Sequence, residues 1–220
     1  MRVAAVERIV SMQEFRKQVQ APVPVEALFA WHERAGAFER LSPPWDRPKV
    51  LEHTGGIRDG AKVVLQVHAG PVPTTWTLEH RDYIANRQFR DVMRKGPFAA
   101  WEHTHGFAPI DAQSSMLDDH IRYALPLGGL GSAVAGTYTQ RTLARVFAYR
   151  HAVMLGDLAR HAEFADRPRR RIAITGASGF IGTQLAAFLS TGGHEVIRIG
   201  RGAPKPGDRK STRLNSSHRL

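Results

Sequence analysis

RIAITGASGFIGTQLAAFLSTGGHEVIRIGR, residues 171–201, changes its period twice over a short span. Ile172 and Ile174 flank Ala173 in a β-branched run that breaks at Gly176, Gly179 and Gly182. From Phe180 the spacing becomes helical, with Ile181, Leu185 and Phe188 or Leu189 on one face, and Gly192-Gly193 supplies a stop. Glu195 to Ile199 returns to a strand pattern. The stretch reads as strand, glycine turn, helix, strand.

Each glycine in that turn has a geometric task. The first permits the tight bend, the second lets backbone approach a pyrophosphate, and the third lets helix pack on strand. The turn also sits where a helix N-terminus presents free N–H groups to a phosphate, which points to a dinucleotide site; a glycine turn that binds nothing is the alternative. The spacing is GxxGxxG, and TGASGFIG (175–182) resembles the fingerprint of extended short-chain dehydrogenases/reductases, the class that includes sugar-nucleotide epimerases. That resemblance implies that Gly176, Ser178, Gly179, Phe180, Ile181 and Gly182 surround the cofactor diphosphate. At the end of the second strand an acid would bind a ribose 2′-OH and an arginine would accommodate a 2′-phosphate. The chain has Ile199-Gly200-Arg201 there, so NADP is expected, with NAD as the alternative. A solvated loop arginine is the competing reading of Arg201.

The 220-residue chain has 42% hydrophobic content, enough for an ordinary core in one large or two modest domains. It holds no cysteine, which excludes disulfides and thiolate metal sites and fits a reducing cytoplasm. No apolar run approaches the roughly 20 residues of a membrane span. The net charge of +11 is unevenly placed: residues 1–166 carry net +2 and residues 167–220 net +9. The excess comes from Arg167, Arg169, Arg170 and Arg171 and from the terminal tail, not from a basic face interleaved with aromatics. Nucleic acid is therefore not an expected partner.

Ahead of the basic cluster, MQEFRKQVQ (12–20) reads as a first strand, VEALFAWHER (25–34) as a helix and residues 37–41 as a second short helix. Six strand candidates follow at 48–54, 61–69, 74–83, 87–94, 99–108 and 115–125, with short loops that predict an antiparallel meander. A long helix then reaches about His161, with Leu143, Phe147, Met154 and Leu158 on its apolar face. This order resembles the helix-grip fold of the START-like or polyketide-cyclase-like (SRPBCC) superfamily, in which a curved antiparallel sheet wraps a C-terminal helix around an apolar pocket. More specifically, WHERAGAFERLSPPW (31–45), GGIRDGAKV (55–63), HRDY (80–83), RQFRDVMRKGPFAAWEHTH (87–105) and YALPLGGLG (123–131) resemble bacterial proteins in which such a domain is fused to an epimerase-type dehydrogenase. The likeness runs from about residue 12 to about residue 203 and includes the junction RPRRRIAITGASG.

The expected architecture is an α+β helix-grip domain over 1–165 with a seven-stranded antiparallel sheet, a basic linker at 166–170, and a partial α/β Rossmann βαβ segment at 171–203. Residues 204–220 lack apolar periodicity and read as a disordered tail. The final STRLNSSH also resembles translated sequencing-adapter sequence.

His103 and His105 lie two apart, so a strand points both to one face, as a metal site would require. His80, His53 and His120 are the histidines available as a third ligand, but Trp101 and Phe107 share the face, and a buried or pocket-lining pair is the preferred reading. No metal is assigned. Asp118-Asp119 are strand neighbours that face opposite ways and cannot readily share acid–base work. Trp76, Phe89, Trp101, Tyr123 and Phe147, with His103 and His105, are the candidate lining of a ligand pocket.

The dehydrogenase class uses a Tyr-x-x-x-Lys pair, and the last tyrosine is Tyr149, ahead of the glycine turn. Roughly 50 residues also supply only one βαβ unit. The chain is therefore expected to be a fragment with no catalytic residue of its own, drawn from a two-domain NAD(P)-dependent epimerase or oxidoreductase. The partner of the first domain is expected to be a small hydrophobic or nucleotide-linked ligand. A non-catalytic lipid or hydrophobic-ligand module is the second reading.

Overall fold

The computed structural model describes residues 12–46, 48–69, 72–126, 128–200 and 211–213. Strand β1 (Gln13–Ala21) leads into α1 (Val25–Glu33) and α2 (Ala37–Leu41). Strands β2 (Lys49–Thr54), β3 (Lys62–Ala69), β4 (Val72–Ile84), β5 (Gln88–Lys95), β6 (Ala100–Pro109) and β7 (Ser115–Ala124) follow, and α3 (Gly128–Ala162) closes the unit. All seven strands form one antiparallel sheet in the order β1-β7-β6-β5-β4-β3-β2. The predicted meander is thus present, and the first strand returns to pair with the last. The architecture is the helix-grip fold.

Alternation on the strands decides what the concave face carries. On β6, Trp101, His103, His105 and Phe107 are all buried and the residues between them are not. On β7 the matching residues are Leu117, Asp119, Ile121 and Tyr123. The register sets Phe107 opposite Leu117, His105 opposite Asp119, His103 opposite Ile121 and Trp101 opposite Tyr123. Helix α3 lays Leu143, Phe147, His151, Met154 and Leu158 over them at intervals of three or four residues, one helical face.

Three elements therefore repeat one arrangement, apolar ends with a polar middle. One apolar cluster gathers Phe29, Trp31, Phe107, Leu117, Met154 and Leu158, the other Trp101, Ile121, Tyr123, Leu143 and Phe147. The histidines and Asp119 form a seam between them.

Beyond the exposed residues 166–170, β8 (Arg171–Thr175), α4 (Phe180–Thr191) and β9 (Glu195–Gly200) make a βαβ unit with parallel strands. Residues 211–213, expected within a structureless tail, instead form a short strand β10 parallel to β9. The open edge of β9 offers backbone donors and acceptors that this segment satisfies. Helix α4 lies against α2, where Arg40 joins both units: it donates to Asp157 on α3 at 2.8 and 2.7 Å and to Gln184 on α4 at 3.0 Å. Arg34 donates to the Thr191 carbonyl at 2.8 Å.

Candidate functional site

A cavity of about 610 Å³ opens between the sheet and the α1–α2 segment. Val63, Leu65, Trp76, Leu78, Phe89 and Trp101 form its apolar wall. His80, Asp91, His103, His105, His32 and Arg150 form its polar one. Five of the seven expected lining residues stand there: Trp76, Phe89, Trp101, His103 and His105. The other two, Tyr123 and Phe147, are core residues. The Tyr123 hydroxyl donates to Gln13 Oε1 at 2.9 Å and accepts from Gln140 at 3.0 Å, which ties it to β1 and α3. Phe147 is seated between Phe15 and His103, with ring centroids 5.4 and 5.3 Å away.

The histidines and Asp91 of the polar wall belong to a chain of imidazoles and carboxylates that crosses five elements. Asp119 Oδ2 lies 2.7 Å from His151 Nε2 on α3, and Asp119 Oδ1 lies 2.9 Å from His103 Nε2 on β6. His105 Nδ1 is also 2.9 Å from Asp119 Oδ1, though out of line for a hydrogen bond. Farther along, His105 Nε2 is 3.4 Å and His103 Nδ1 3.7 Å from Asp91 Oδ2 on β5. Asp91 Oδ1 in turn meets His80 Nε2 of β4 at 2.8 Å, again off the hydrogen-bond direction.

Burial pushes both carboxyls up, but the imidazoles around them outweigh it. Asp91, faced by His80 and His105, and Asp119, faced by His103, His105 and His151, are held well below the usual carboxylate range. Burial would lower His105, yet Asp119 and Asp91 together raise it to about 9. Its neighbour His103, where burial prevails with the like charge of His105 behind it, falls to about 4. Arg150 lies within Coulombic reach of both carboxylates.

Sequence reading found the histidine pair and missed what organises it. Asp118 and Asp119 do face opposite ways: Asp118 pairs with Arg16 on the outer face at 2.9 Å, and Asp119 is buried. A carboxylate on a β7 position whose neighbours Leu117 and Ile121 face the core was the available signal. Asp91 follows Phe89 by two residues and shares its inward face, and His151 falls four residues after Phe147 on the same helical stripe. The third group beside His103 and His105 is Asp91, not His80, His53 or His120.

In the glycine turn, Gly176 has φ +65°, and a Cβ at Gly182 would stand 2.2 Å from the Gly176 carbonyl oxygen. Both positions need glycine. Gly179 caps α4 without any side-chain hydrogen bond, and Ser178, Phe180 and Ile181 are exposed beside it. Arg201 lies outside the described residues.

The model of the polyketide cyclase / dehydrase and lipid transport family matches residues 21–147. The NAD dependent epimerase/dehydratase family matches residues 172–218. Among solved structures, a nucleoside-diphosphate sugar epimerase from Corynebacterium glutamicum is 28% identical with a TM-score of 0.71, over 89% of this chain and 41% of that one. The chain thus spans less than half the length of that epimerase. Norcoclaurine synthase from Thalictrum flavum shares the fold: a point mutant with a transition-state analogue aligns at 10% identity and TM-score 0.56, over 70% of this chain and 98% of its own. No curated protein sequence matches. Among the described residues no helix is long and apolar enough to cross a membrane. With its match over more than half of the residues, the chain belongs to the polyketide cyclase / dehydrase and lipid transport family.

Proposed function

We propose that the first domain binds a small, largely apolar ligand with a polar end. The supporting observation is the cavity of about 610 Å³, aromatic and aliphatic on one wall and lined by His80, Asp91, His103 and His105 on the other. That volume falls in the range of small-molecule sites, and few convergent polar groups on an apolar surface are what orient a ligand. Titration with an apolar fluorescent probe tests the reading. Saturable one-to-one binding is expected, weakened by Leu65→Trp, which fills the apolar wall; no saturable binding by the folded chain rejects it.

The second unit carries the start of a cofactor site in this proposal. The turn at Gly176, Gly179 and Gly182, the N-terminus of α4 with no side-chain cap and the match to the epimerase family support a dinucleotide diphosphate beside Ser178, Phe180 and Ile181. The whole protein would then be an NAD(P)-dependent epimerase or oxidoreductase with the ligand domain in front. Arg201 favours NADP through its charge. In a form extended to the length of the Corynebacterium glutamicum epimerase, Arg201→Asp should weaken NADPH binding by roughly 1.5–3 kcal/mol, the worth of a charge-assisted hydrogen bond, and spare NADH. Equal NADPH affinity in the two proteins removes that assignment. The second reading, a carrier that binds lipid without catalysis, draws on the cavity alone and predicts probe binding with no dinucleotide binding by the extended form.

A further inference from the structure

We propose that Asp91, His103 and His105 form a site for one divalent first-row transition ion, open to the cavity. Their ligand atoms all lie within 4.8 Å of one another. Two edges of that triangle are defined: Asp91 Oδ2 is 3.4 Å from His105 Nε2 and 3.7 Å from His103 Nδ1. A tetrahedral zinc ion with bonds of about 2.0–2.1 Å separates its ligands by about 3.3 Å, so the triangle is close to the size the ion needs. The longer edge exceeds a hydrogen bond. The shorter edge is a long hydrogen bond.

The other end of each ligand lies beside a second group, and that of His103 is held by a hydrogen bond. His103 Nε2 and His105 Nδ1 both lie 2.9 Å from Asp119 Oδ1, and Asp91 Oδ1 lies 2.8 Å from His80 Nε2. A carboxylate behind a ligating imidazole fixes its tautomer and ring plane and raises its basicity. With Nε2–H of His103 donating to Asp119, the His103 lone pair at Nδ1 is left toward Asp91 Oδ2; His105 would offer Nε2, the atom now 3.4 Å from the same oxygen, with its remaining proton on Nδ1 beside Asp119. An ion there would take the place of the proton that His105 Nε2 shares with Asp91 Oδ2. All three residues line the cavity, so an ion there keeps a fourth position for water or a bound ligand. Imidazole and carboxylate donors suit zinc, cobalt, nickel or ferrous iron rather than magnesium or calcium.

The test uses the full chain, stripped with a chelator and dialysed, with Co²⁺ alone as probe. One equivalent should bind saturably and produce the visible absorption of a four-coordinate ion. Asp91→Asn should lower the affinity at least tenfold, and Asp119→Asn, which touches no metal, about 10–100-fold. His120→Gln, on the outer face of β7, should leave it unchanged. X-ray absorption of the zinc-loaded wild type tests the site without any variant: two imidazole nitrogens and a carboxylate oxygen at about 2.0–2.1 Å are expected. The proposal is overturned by no saturable Co²⁺ binding, which leaves a proton as the shared charge, by a zinc shell without imidazole, or by equal affinity in folded Asp91→Asn and wild type. None of these readouts depends on an apolar ligand in the cavity.

Discussion

His151 Nε2 on α3 and Asp119 Oδ2 on β7 meet at 2.7 Å in the interior, so the long helix is fastened to the sheet by a polar contact between two apolar clusters. The contact fixes its position, because any slide leaves a buried carboxylate without its imidazole.

That arrangement makes Asp119→Ala severe. Removing the acceptor shared by His103 and His151 leaves buried imidazoles unpaired and should cost about 3 kcal/mol or more. Chemical denaturation checks it, with Asp118→Ala as the neighbour that should leave the midpoint close to wild type, since its Arg16 partner is on the exposed face.

Arg40 and Asp157 form a bidentate pair in which the carboxylate side chain is 4% exposed. Arg40→Ala should destabilise by about 2 kcal/mol, less than a fully enclosed pair because Arg40 keeps some solvent contact. A cycle with Asp157→Asn should show strong coupling, whereas additive effects would mean that the pair is not made.

Gly182→Ala should disturb the βαβ unit selectively. A Cβ there meets the Gly176 carbonyl oxygen and the Ala177 Cα, both backbone atoms that cannot swing aside. A cost of about 1–3 kcal/mol is expected. Hydrogen exchange should show faster opening of residues 171–200 and unchanged protection in β6 and β7.

His32 sets part of the acid limit. Burial lowers it to about 4; its Nδ1 donates to the Leu28 carbonyl at 2.9 Å, and His105, Asp119 and His151 act on it from β6, β7 and α3. The unfolded imidazole takes a proton below about pH 6.5 and the folded one only near 4. Its contribution is therefore complete above pH 6.5 and lost as pH falls toward 4, by roughly 3 kcal/mol. His32→Gln should flatten the stability profile between those values, and an unchanged slope would show that His32 is not buried as a neutral group.

The sequence by itself determined the elements. Alternation on 99–108 and 115–125, the glycine spacing after Ile174 and the apolar stripe from Leu143 to Leu158 are local patterns, and local backbone geometry answers to them. It also determined that His103 and His105 share a face. Tertiary structure decided what they face: the pairing of β5 with β6 sets Asp91 opposite His103, and β6 with β7 sets Asp119 opposite His105. No sequence spacing reports that register, because strand neighbours depend on loop closure and on which edge the first strand joins. The same holds for Tyr123 and Phe147, whose aromatic character reads alike for core and cavity. Their place was settled by where α3 crosses the sheet, a balance of packing over the whole domain in which no single stretch holds the answer.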